Sequence, residues 1–167
     1  MTADGAASDE ALITVRLLGL PLDVQMRAQE HADELTRELT LIAAQLRTDG
    51  NTHHLPTTFL NLIQQLTARY SAFTVEQERQ LDDAIARGDE TIDLTYRVPA
   101  SVPEAAQALG VMLDEADEYC RSGQHLLTLA TPDELVAYRW WFLSQFIDQV
   151  AGQAPVAWRD YAGTAAP

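Results

Sequence analysis

The sequence predicts a mostly α chain (α+β): a bundle of about five helices with a small two-stranded sheet. Three observations carry this. Residues 12–18 and 91–98 alternate apolar with polar, the period of a half-buried strand. The stretches between and after them repeat apolar residues every three or four positions, the period of an amphipathic helix. Glycine, proline and capping residues stand where one pattern gives way to the next.

Taken in order, Ile13, Val15 and Leu17 form one face of the first strand, with Thr14 and Arg16 on the other; Gly19 and Pro21 end it. Val24, Ala28, His31, Leu35, Leu39, Ile42 and Leu46 make a single stripe on a helix over 22–47, stopped by Thr48-Asp49-Gly50-Asn51. Asp33 and Arg37 stand four apart on it, in acid-first order. A second helix over about 56–70 faces Phe59, Ile63, Leu66 and Tyr70 inward. Thr74 with Gln77 reads as a capping box for a third helix, with Leu81 and Ile85 inward and Gly88 at its C-cap. The second strand, 91–98, presents Ile92, Leu94, Tyr96 and Val98 on its buried face. Ser101 with Glu104 opens a fourth helix to about Arg121, with Gly123 beyond it. Thr131-Pro132-Asp133-Glu134 is the strongest helix start in the chain, and that fifth helix runs to about Val150, closed by Gly152. Both strands lead through a proline into a helix, a shared pattern without shared identity. The two strands are expected to pair with each other, because a lone strand leaves its backbone groups unbonded.

The expected organisation is a tail over 1–10, one helical domain over 11–152 and a C-terminal extension over 153–167, anchored by Trp158. At 167 residues and 47% hydrophobic, the chain can bury a core without a disulfide or metal. The formal net charge is −14, and all eleven basic residues are arginine. Such a surface repels phosphate backbones and anionic lipid, so neither nucleic acid nor membrane is expected as a partner. A protein with a basic surface would be attracted. Residues 74–120 carry twelve acids against three arginines, a net of −9, and are the expected face for it. Met1 to Glu10 lack a signal-peptide pattern, Leu135 to Val150 is too short and too charged to span a bilayer, and Cys120 is the one cysteine. A cytoplasmic location is expected.

Motifs for chemistry are sparse. His31 lies on the apolar stripe beside Glu30 and Glu34, where a histidine near carboxylates could act as a base, a ligand or a phosphate acceptor; the expected reading is a partly buried histidine at the stripe's edge, satisfied by a neighbour. His53, His54 and His125 sit in turn-rich stretches without metal-ligand spacing, so no metal is expected. Asp114, Glu115, Asp117 and Glu118 form an acidic run read as the solvated face of the fourth helix, with Cys120 on its apolar side. No phosphate-binding glycine loop and no nucleophile elbow is present, and no cofactor is expected. Tyr138, Trp140, Trp141, Phe142 and Phe146 crowd one helix. Adjacent indoles point about 100° apart. Trp140, in register with Val136, Leu143 and Ile147, is expected in the core. Trp141, in register with Ala137, Gln145 and Asp148, is expected at a rim that a partner or second subunit covers. Arg139, Asp114, Asp117 and Glu118 join Trp141 as candidate interaction residues.

Four stretches resemble a group of actinobacterial helical proteins that carry no assigned activity. They are Val15-Arg-Leu-Leu-Gly-Leu-Pro21, Arg27-Ala-Gln-Glu-His-Ala-Asp-Glu34, Leu113-Asp-Glu-Ala-Asp-Glu-Tyr-Cys120 and Leu126-Leu-Thr-Leu-Ala-Thr-Pro132. The genes of that group tend to stand beside anti-sigma-factor ATPases and their antagonists. Leu94-Thr-Tyr-Arg-Val-Pro-Ala-Ser-Val-Pro103 is similar to the opening strand and helix of those kinases. Their asparagine box and Asp-x-Gly-x-Gly box have no counterpart here. The resemblance implies a setting of partner-switching regulation. The expected function is a non-enzymatic regulatory or adaptor protein acting through protein contacts. The alternatives are a ligand-binding or enzymatic bundle using His31 and neighbouring carboxylates such as Glu34, and a structural homodimer without ligand.

Overall fold

In a computed structural model, residues 11–49, 54–122 and 130–164 are described. The order is β1 (Leu12–Pro21), α1 (Leu22–Asp49), α2 (His54–Tyr70), α3 (Val75–Arg87), β2 (Thr91–Pro99), α4 (Val102–Arg121), α5 (Asp133–Val150) and α6 (Trp158–Thr164). A single 3-10 turn, Ser71–Phe73, joins α2 to α3. The mostly α class with a small sheet is what the periodicities predict. His53, His125 and Gly123 lie outside the described residues, as do Gly50 and Asn51.

The two strands pair antiparallel, with Ile13 opposite Val98, Val15 opposite Tyr96 and Leu17 opposite Leu94. This puts the two apolar faces on one side of the ribbon. β1 does not end at Gly19. A bulge between Leu17 and Leu20 carries it on to Pro21, with Gly19 at φ 62° donating its N–H to Asp93 Oδ1 at 2.6 Å. At the middle of the ribbon, Arg16 and Thr95 face each other. The Gln149 side chain accepts from the Arg16 N–H and donates to the Arg16 carbonyl, while Gln77 donates to the Thr95 carbonyl.

The apolar face of the ribbon (Val15, Leu17, Leu94, Tyr96 and Val98) packs with Leu135, Tyr138, Trp141 and Phe146 of α5 in the main core. A second cluster joins Leu35, Leu39 and Ile42 of α1, Phe59 of α2 and Ala116 of α4. Gly88, φ 76°, caps the C-terminus of α3, and Gly152, φ 91°, follows two residues after the end of α5; both are left-handed where the sequence predicts a helix stop.

The N-terminal caps depart from expectation. None of Thr74, Ser101 or Thr131 caps its helix through its side chain. The Thr74 hydroxyl bonds Glu78, Ser101 Oγ accepts from Arg69, and Gln77 reaches across to β2. On α1, Asp33 accepts from Gln29 and not from Arg37.

The phase of α5 is the reverse of that expected. Trp141 is fully buried and Trp140 half-buried. The chain after Gly152 folds back over the face that reads as a rim. Trp141 donates to the Val156 carbonyl at 2.8 Å, and the buried Gln145 accepts from the Val156 N–H at 2.9 Å. Trp158 packs edge-on to both Trp141 and Tyr138. Trp140 instead lies on α4, its ring against Gly110, where a Cβ would sit 2.6 Å from the ring.

Candidate functional site

α1, α4 and α5 meet at the seam between the two apolar clusters, and a cleft of about 260 Å³ opens there. Its walls are apolar: Leu35 from α1, Leu109 and Leu113 from α4, and Leu135, Phe142 and Leu143 from α5. One side is polar, with Gln25 and His31 of α1, Thr131, and Tyr138 and Arg139 of α5.

These polar groups are bonded into a chain. Asp117, 2% exposed, accepts from the Thr131 backbone N–H at 3.1 Å and, by a short bond, from the Thr131 hydroxyl. A carboxylate only accepts, so the Thr131 proton is committed to Asp117. The Thr131 oxygen is then placed to accept from His31 Nε2–H, 2.9 Å away. On its other side Asp117 receives Arg139 Nη2 at 2.9 Å, and the same nitrogen donates to Asp114. The Arg139 side chain is only 11% exposed. Among the described residues, Arg139 Nε is the one buried side-chain polar atom without a hydrogen-bond partner. Tyr138 donates to Gln25, and burial pushes its hydroxyl well above the usual tyrosine range.

The candidate residues are placed differently from expectation. Asp117 is not on a solvated face; it is buried beneath Thr131 and Arg139. Arg139 is held by two aspartates and Trp141 is in the core, so neither offers a surface to a partner. Asp114 is half exposed but bonded to Arg139, while Glu118 is exposed, with Arg121 3.5 Å away. His31 does line the cleft, yet its carboxylate is Asp117, reached through Thr131. Glu34 is exposed and does not line the cleft. Thr131 is the residue the sequence hides: Thr-Pro-Asp-Glu has the spacing of a helix start, and nothing local marks its hydroxyl for Asp117.

Among the described residues, neither Cys120 nor Ser144 is an activated nucleophile. Cys120 is half-buried in the second cluster, and burial, with the Asp117 charge nearby, pushes its thiol up. The Ser144 hydroxyl is bonded back to the Trp141 carbonyl. Among the described residues no group of histidine, cysteine and acids is arranged to hold a metal, and no helix is long and apolar enough to cross a membrane. Compared with family models, with characterised proteins and with solved structures, the chain matches none of them.

Proposed function

We propose that the chain is a non-enzymatic binding protein with a regulatory role, taking a small, largely apolar ligand with an anionic or carbonyl head in the α1–α4–α5 cleft. One observation carries this. An apolar cleft has a polar side where Arg139, a buried cation with one donor unpaired, sits beside His31 and Tyr138. A buried unpaired donor costs about 1–3 kcal/mol, and the guanidinium that carries it lines the cleft. The volume lies just below the usual range of about 300–1,000 Å³, so the ligand is small.

Calorimetry with octanoate, 1-octanol and octylamine tests the reading. The three share an apolar body and differ in the head. Octanoate should bind best and octylamine worst. Ala32→Phe, which fills the exposed mouth of the cleft, should abolish binding and leave the thermal melt near wild type. Equal affinity for all three heads, or binding untouched by Ala32→Phe, would sink the proposal.

The adaptor reading has support of its own. The exposed acids of α3 and α4 give a surface complementary to a basic protein. A cytoplasmic protein in partner-switching regulation is the setting we propose, with the single half-buried Cys120 suited to a reducing compartment.

A further inference from the structure

We propose that the groove between α1 and α3 is the docking site for a basic amphipathic helix of a partner protein. This deepens the adaptor side of the reading above; the groove shares Gln25 and Gln29 with the cleft, but Glu78, Asp82 and Ile85 line the groove alone.

Two helix faces form the groove. α1 contributes Gln25, Met26, Gln29, Glu30 and Asp33, and α3 contributes Glu78, Leu81, Asp82 and Ile85. Both sets follow helical spacing, so each wall is one continuous face about two turns long. The space between them is about 540 Å³, twice that of the cleft. α3 packs on β2 and α1 on α2, and the groove lies open between them.

The apolar part of the groove is Met26, Leu81 and Ile85, with Met26 44% and Ile85 37% exposed. An exposed methionine next to branched aliphatics is a surface that repacks around an apolar ridge. The charges are all of one sign: Glu30 and Asp33 on one wall, Glu78 and Asp82 on the other, with no arginine lining it. The arginine nearest in sequence on α3, Arg79, is committed to Glu76 and Asp83, and Arg27 to Asp23 and Glu134. Four carboxylates around an apolar strip fit an occupant with an apolar ridge flanked by lysine or arginine on both sides. A helix has that shape, and helices pack at about 8–10 Å between axes. The acidic flanks repel anionic lipid, so a protein segment is the occupant.

The probe is a labelled peptide of leucine and lysine with its leucines at helical spacing, read by fluorescence anisotropy. Its control is a scrambled peptide of identical composition. The amphipathic peptide should bind about tenfold or more tightly than the scramble. Its on-rate should fall as salt rises. Ile85→Arg, and separately Glu78→Gln with Asp82→Asn, should weaken binding about tenfold. Glu104→Gln with Glu115→Gln removes the same charge outside the groove and should leave binding unchanged. The inference is overturned by absence of binding, by equal binding of the scramble, or by an equal loss in the off-groove pair. Circular dichroism confirms that each variant is folded. Octanoate calorimetry on the same proteins reads the cleft separately, so a failure of the groove and a failure of the cleft are distinguishable.

Discussion

Trp141 and Trp140 divide the packing of α5 between two neighbours. Trp141 is enclosed by Tyr138, Trp158 and the backbone at Val156. Trp140 lies on α4, its indole N–H 3.4 Å from Asp114. Trp141→Ala should cost about 3–5 kcal/mol, the range for emptying a large core site. Trp140→Ala, half-buried to begin with, should cost less; thermal melts of the two variants give the order. The sequence could not supply this order. Gln145 reads as a surface companion of Trp141, yet it is 2% exposed because its amide oxygen accepts from both Val156 and Gln149. A polar residue bonded to a segment eleven positions away gives no periodic signal. Asp117 reads as solvated for the same reason, since its partners come from 14 and 22 residues further on.

The packing of α5 on α4 depends on the missing side chain at Gly110. A Cβ there would meet Trp140 at 2.6 Å, and overpacking costs about 1–3 kcal/mol, while glycine to alanine within a helix gains only about 0.8–1 kcal/mol. Gly110→Ala should therefore destabilise the wild type and stabilise Trp140→Ala. A double-mutant cycle measured by denaturant unfolding checks the change of sign. Helices and strands themselves were legible, because hydrophobic periodicity is written locally; Ile85, expected inward on α3, is instead 37% exposed and lines the groove against α1. Helix starts were legible as positions but not as chemistry. Thr131 stands just ahead of α5, as its spacing implies, while its hydroxyl ties that start to α4 and α1. Whether the strands run parallel was not legible, since three helices separate them and either direction keeps the period.

Across the whole molecule, two buried tyrosines make stability sensitive to alkali. Burial raises both Tyr96 and Tyr138 far above the ordinary value of 10, and Tyr138 also gives its proton to Gln25. Above pH 10 the unfolded chain ionises these groups while the folded chain cannot, so the unfolded state binds fewer protons. Stability should hold below pH 10 and fall as pH climbs beyond it. Tyr138→Phe, although it loses the bond to Gln25, should flatten that fall; urea unfolding between pH 9 and about 11.5 measures the slope. The glutamines flanking the ribbon act at the same scale. A two-stranded sheet normally offers two vacant edges on which a foreign strand can be templated. Here the outward backbone groups of Arg16 are taken up by Gln149 and the Thr95 carbonyl by Gln77. A would-be third strand has to evict an amide at the central rung before it gains a bond. Recruitment by strand exchange, and the fibrous growth that begins with it, is thereby hindered at the middle of the sheet.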